Sequence, residues 1–142
     1  MQRLKSEIIN WLHFKRRTLN MAIGVSVVLF YEAARVYYRP HIYSNALDDF
    51  HIADTLGNSL GTVATVYVLA SLLGRHSTQD YFLIRTVTIS VLVYEAVHPL
   101  LGKPIDFWDM AATVIAGFFC EGFYRLLHRR AFSTLVKSDI TS

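Results

Sequence analysis

MAIGVSVVLFYEAARVYY, residues 21–38, decides the fold class. A helix needs about 20 consecutive, mostly apolar residues to cross the hydrocarbon core of a bilayer. This stretch meets that need with one internal Glu–Arg pair. Three more runs of the same kind follow, over residues 52–73, 81–98 and 108–127; Pro40 is expected to close off the first of the four, and His98-Pro99 to end the third. Together they predict an all-α integral membrane protein: a four-transmembrane-helix bundle preceded by an N-terminal interfacial amphipathic helix. That helix is read from residues 1–20, where Arg3, Lys5, Lys15, Arg16 and Arg17 alternate with Ile8, Ile9, Trp11, Leu12 and Phe14.

The composition agrees. Hydrophobic residues make up 53% of the 142, and mean hydropathy is +0.32. Once four spans are assigned, the chain holds a single membrane domain: the basic segment 1–20, a first helical hairpin over 21–74, a second over 80–128, and a tail over 129–142. The formal charge of +3 is no nucleic-acid signal, because the basic residues cluster at span ends. Arg16, Arg17, Arg75, Arg125, Arg129, Arg130 and Lys137 fall on one side, and the positive-inside rule puts that side, with both termini, in the cytoplasm of a cell (inner) membrane. Tyr37, Tyr38, Tyr43 and Trp108 mark the opposite interface. A secretory signal peptide is the competing reading of the start, but Glu32 and Arg35 suit the end of such a segment poorly. The single cysteine, Cys120, excludes an internal disulfide and reads as a packing residue.

The two halves echo each other. Tyr31-Glu32-Ala33 matches Tyr94-Glu95-Ala96, Arg35 matches His98, and Asp54 matches Asp109. Asp49-Phe50 corresponds loosely to Asp106-Phe107. Both halves start on the same side, so the pattern predicts two parallel helix-hairpin repeats. Carboxylates are costly inside a membrane and mark function by default. Glu32, Asp54, Glu95 and Asp109 are therefore expected to converge on one outward-facing acidic site, with Arg35, Asn58 and His98 among its ligand-binding residues. Asp54, Asn58 and Gly61 share a helix face, and Gly57 with Gly61 makes a GxxxG step expected to admit a close neighbour. Arg85 and Glu121 are expected to pair. Asp48, Asp49 and His51 read as solvated loop or interface residues.

At this point the residues resemble the VanZ-like family of small membrane proteins. The resemblance rests on a glutamate near a helix end (Glu32, Glu95), then an Asp-rich entry into the next helix. In the first half that entry is Asp49-Phe50-His51-Ile52-Ala53-Asp54 followed by Asn58-Ser59-Leu60-Gly61. In the second it is Asp106-Phe107-Trp108-Asp109, with Gly117 later, and Thr113 stands where asparagine would be. The resemblance spans residues 28–119. It implies an envelope-associated protein, of a family named for a link to teicoplanin resistance, and no particular reaction.

Three functions fit these residues. One is binding of a cell-envelope lipid, cell-wall precursor or cation. The second is an intramembrane lipid-phosphate enzyme whose carboxylates hold a divalent cation such as Mg²⁺. The third is a small ion-conducting or pore-forming protein, since acidic rings select cations. Membrane lipids are the expected partners, homo-oligomerisation stays open, and no glycine-rich phosphate loop follows a strand.

Overall fold

The structure, a computed structural model, describes residues 2–74 and 77–140. Arg75 lies outside them, as do the side chains of Arg3, Lys5, Arg129, Arg130 and Lys137, so the expectation for those positions has no structural counterpart. Among the described residues the chain is all-helical, without a strand. Helix α1 spans Gln2–Ala33, a π-helical turn spans Ala34–Tyr38, and α2 spans Arg39–Ser44. Then come α3 (Ile52–Leu72), α4 (Ser77–Ala96), a 3₁₀ turn (His98–Leu101) and α5 (Phe107–Ile140). Helix α3 is central: α1, α4 and α5 all pack on it, and α4 also packs on α5.

Three helices are long and apolar enough to cross a membrane, over His13–Ser44, Ile52–Leu72 and Phe107–His128. Their surfaces fit that role. Leu29, Phe30, Ile115 and Phe118 lie mid-helix yet are 64–75% exposed, an apolar exterior that suits hydrocarbon rather than water. Helix α4 is less apolar because Asp80, Arg85 and Glu95 interrupt its 20 residues. The core beneath is made of Val63, Val66 and Tyr67 from α3, Ile84 and Val87 from α4, and Ala116, Cys120 and Tyr124 from α5.

Element boundaries depart from expectation in three places. The basic segment 1–20 is no separate helix but the first half of α1. Nothing in it breaks a helix: it holds no Pro or Gly, and the Thr18 hydroxyl donates back to Phe14 O at 3.0 Å. Second, Pro40 does not close the first span. A proline ring normally clashes with the carbonyl four residues back. Here the wide π-helical turn, in which Arg39 N–H reaches back to Ala34 O, shifts the register just before the proline, and the helix runs on to Ser44. Third, α4 starts at Ser77, four residues before the apolar run. An acidic residue in the first turn, Asp80, favours that earlier start. At its other end α4 stops at Ala96, close to His98-Pro99 as the sequence predicts, since a residue before proline disfavours helical geometry.

Close helix packing occurs at glycines other than the GxxxG step. A Cβ on Gly61 would meet nothing within 4 Å, and one on Gly57 only Tyr31 Oη at 3.8 Å. At Gly24 a Cβ would lie 2.7 Å from Val68 Cγ2 and 3.1 Å from Val68 N, so α1 and α3 cross backbone to backbone there. At Gly117 it would lie 2.6 Å from the Thr88 side chain, where α4 meets α5. Gly24→Ala should therefore cost about 1–3 kcal/mol through overpacking, whereas Gly61→Ala should gain up to about 1 kcal/mol from helix propensity. Thermal unfolding in detergent measures both; equal effects at the two positions would refute this packing.

Candidate functional site

The C-terminal end of α4, the N-terminal ends of α3 and α5, and helix α2 meet at one end of the molecule. Each helix start there is set by an aspartate. Asp106 Oδ1 accepts from the backbone N–H of Trp108 (2.8 Å) and Asp109 (3.4 Å), an N-cap that fixes the first turn of α5. Asp49 Oδ2 accepts from Ala53 N–H (2.7 Å) and from Tyr38 Oη (3.0 Å). Asp48 Oδ1 accepts from Phe50 N–H at 3.0 Å. Asp48 and Asp49 are thus turn and cap residues, not merely solvated charges: the loop backbone needs their oxygens to start α3.

Inside this end lies Glu95, 1% exposed. Asn58 Nδ2 donates to its Oε1 at 2.9 Å, and His98 Nδ1 pairs with its Oε2 at 2.9 Å. Asp109 lies within electrostatic reach of Glu95, Asp54, Asp106 and His98. Thr113, fully buried, donates its hydroxyl to Asp109 O at 2.9 Å. Among the described residues, three buried polar atoms of this group meet no hydrogen-bond partner: Asp109 Oδ1, His98 Nε2 and Glu95 Oε2, whose contact with His98 is an ion-pair distance alone.

Asp54 forms the rim. Tyr43 Oη donates to Asp54 Oδ1 and accepts from Arg39 Nε at 3.0 Å. His51 Nδ1 lies 3.3 Å from Asp54 Oδ2, and its ring stacks on Trp108 at 5.1 Å, tying the start of α3 to the start of α5. Phe50 and His51 both have positive φ, 56° and 63°. Such a conformation costs about 1–3 kcal/mol per residue away from glycine and persists where surrounding contacts enforce it; the Trp108 stack and the Asp54 pair hold His51, and the N–H bond to Asp48 holds Phe50.

The predicted residues therefore divide. Asn58, Glu95, His98 and Asp109 are brought together, with Asp54 beside them. Glu32 is bound by Arg35 (Nη2–Oε2 2.7 Å, Nε–Oε2 3.1 Å), and both stand about half exposed. Among the described residues no hydrogen bond or ion pair joins them to the Glu95 group. Both halves thus make an i, i+3 pair, buried in one and open in the other. Sequence reasoning missed Arg39, Tyr43 and His51 as partners of Asp54. The available signals were the i, i+4 spacing of Arg39 with Tyr43 and the i, i+3 spacing of His51 with Asp54.

A second polar cluster lies at the opposite end. Asp80, wholly buried, accepts from Tyr124 Oη and pairs with Arg16 Nη1 at 3.5 Å. Arg17 Nε and Nη2 donate to the last carbonyls of α3, Ser71 O (2.7 Å) and Leu72 O (3.0 Å), and His128 Nε2 lies 3.2 Å from Asn20 Oδ1. These contacts clamp α1 to the other helices.

Among the described residues, no three His, Cys, Asp or Glu side chains are grouped so as to hold a metal ion. Compared with models of known protein families, with curated proteins and with solved structures, the chain matches none.

Proposed function

We propose that the chain is a four-span, VanZ-like envelope protein that binds a donor-rich polar head group in an acidic site opening outward from the cytoplasmic membrane. The observation that carries this reading is the trio of buried atoms without a hydrogen-bond partner, Glu95 Oε2, Asp109 Oδ1 and His98 Nε2. Buried polar atoms are almost always satisfied, so such orphans point to a missing partner. A carboxylate oxygen accepts only. Glu95 Oε2 and Asp109 Oδ1 are both such oxygens. The complementary group carries N–H or O–H donors: a primary ammonium, or the hydroxyls of a lipid-linked cell-wall precursor.

The topology supports the same side. Arg16, Arg17 and Arg125 gather at the end opposite Glu95, and the positive-inside rule makes that end cytoplasmic. Helix α4 supplies the fourth crossing: 20 residues span about 30 Å, the thickness of the hydrocarbon core. Its ionisable groups have partners, Asp80 in Arg16, Arg85 in Glu121 and Glu95 in Asn58 and His98, which removes most of the objection to placing them in a membrane.

A lipid panel tests the binding. In nanodiscs, phosphatidylethanolamine or a lipid-linked cell-wall disaccharide should raise the unfolding temperature above that in phosphatidylcholine of the same chains, because the choline head has no N–H donor. Equal stability in all three would reject the site. Mg²⁺-dependent lipid turnover would instead select an enzyme, and cation flux in liposomes a pore. For topology, reporter fusions after Ser77 and at the C-terminus should read as cytoplasmic and one near Asn45 as external; a cytoplasmic reading at Asn45 would overturn the four-span arrangement.

A further inference from the structure

An open groove lies elsewhere, along the outer seam of α4 and α5, with a volume of about 690 Å³. Its walls are apolar, made chiefly by Ile84, Ile89, Leu92, Val114 and Phe118. At its polar end two guanidinium groups converge on one carboxylate. Arg85 grips Glu121 with two hydrogen bonds, Nη2 to Oε1 at 3.0 Å and Nε to Oε2 at 3.2 Å. Arg125 Nη2 donates to the same Oε1 at 2.6 Å. Glu121 is 18% exposed, while Arg85 and Arg125 are 64% and 63% exposed. One carboxylate cannot neutralise two guanidinium groups, so the groove carries a net positive charge at one end and hydrocarbon-like walls along its length. Gly122 keeps the polar end open, since a Cβ there would meet nothing within 4 Å. Thr88 and Gly117, in close contact, form the floor.

This combination of charge and apolarity matches one kind of molecule. We propose that the groove is a binding site for an anionic phospholipid of the leaflet at the α3–α4 end. The phosphate would rest on Arg125 and the free donors of Arg85, and an acyl chain would lie along Ile89, Leu92 and Phe118. Arginine suits the role because its planar fork can bond a carboxylate and a phosphate together. The site is distinct from the Glu95 site and does not depend on it: the lipid needed here is an anion and the group needed there is a hydrogen-bond donor.

The test is native mass spectrometry of the full chain, released from detergent with phosphatidylglycerol or phosphatidylcholine of identical chains. The wild type should retain phosphatidylglycerol preferentially, and added salt should erode the preference. Arg125→Ala keeps the Arg85–Glu121 pair and should lower phosphatidylglycerol affinity about fivefold, the effect of about one interfacial cation. Gly122→Leu should block the groove and lower retention of both lipids. Equal retention of the two lipids by the wild type, or an unchanged preference in Arg125→Ala, would overturn the proposal. So would equal stabilisation by inorganic phosphate, which would leave the acyl groove without a role. A wild-type dimer that Gly122→Leu dissociates would assign the groove to a second copy of the chain instead.

Discussion

Asp80→Ala should destabilise the protein by about 3–5 kcal/mol, the loss that follows when one partner of a buried charge pair is removed. Asp80 is wholly buried, and three helices depend on it. Arg16 of α1 faces it with only 14% side-chain exposure, and Tyr124 of α5 donates its hydroxyl to it. The backbone turns past it at Gly74, where any side chain would strike Asp80 Oδ1. Alanine would leave the Arg16 charge and the Tyr124 hydroxyl in an interior that cannot solvate them. Asp80→Asn keeps an acceptor for Tyr124 and loses only the charge, so it should lie well below the alanine value. Adding Arg16→Met to Asp80→Ala should recover part of the loss, because the uncompensated charge goes with it. Denaturant unfolding in bicelles measures all three. A loss below about 1 kcal/mol for Asp80→Ala would show that α1 is held by apolar packing alone.

The same residue shows what the sequence conceals. In Gly74-Arg75-His76-Ser77-Thr78-Gln79-Asp80, seven residues between two apolar runs, an aspartate reads as a solvated connector. Its burial comes from Tyr124, 44 positions away, and no local pattern encodes that contact. Three of the apolar runs were legible as spans because each must satisfy its length requirement alone. The stop of α4 at His98-Pro99 was legible too, since proline acts on its own neighbours. Pro40 was misleading for a related reason: its steric effect is local, but a π-helical turn absorbs it one residue earlier. The glycines divide in the same way. Spacing alone singles out Gly57 and Gly61, whereas close approach at Gly24 depends on where Val68 of another helix falls.

Within the site, the residues carrying hydrogen bonds across two halves of the chain were partly legible. Asp54, Asn58, Glu95, His98 and Asp109 stand out as polar groups in apolar surroundings, which is a cost any reader of the sequence can see. Glu32 stands out equally, yet Arg35 holds it half exposed on α1. The difference between Glu32 and Glu95 lies in Asn58, which reaches Glu95 across α3 and α4. The rim is harder to read. His51 reaches Asp54 and Trp108 only because residues 50 and 51 adopt left-handed backbone geometry, and neither Phe nor His advertises that conformation in a sequence.

Asp109→Asn should separate binding from folding. Under the proposed function, the Asp109 carboxylate accepts a donor of the head group through Oδ1, a buried oxygen without a hydrogen-bond partner. A hydrogen bond to a charged group is worth about 1.5–3 kcal/mol, so the variant should bind the phosphatidylethanolamine or lipid-linked disaccharide probe about 10- to 150-fold more weakly. Its stability should move little. Asparagine loses a favourable interaction with the start of α5, worth about 0.3–1 kcal/mol, but it also relieves crowding with Asp54, Asp106 and Glu95. The net change should lie within about 1 kcal/mol of zero. Asp106→Ala supplies the opposite pattern three residues earlier. It removes the cap that holds the N–H groups of Trp108 and Asp109, which should cost about 1 kcal/mol of stability, while leaving the Glu95 and Asp109 carboxylates of the site in place and probe affinity within about twofold. Thermal unfolding and probe titration of the two variants in the same nanodiscs give the four numbers needed. If Asp109→Asn loses stability and keeps affinity, the carboxylate belongs to the packing of the bundle and the donor-rich ligand has no acceptor there.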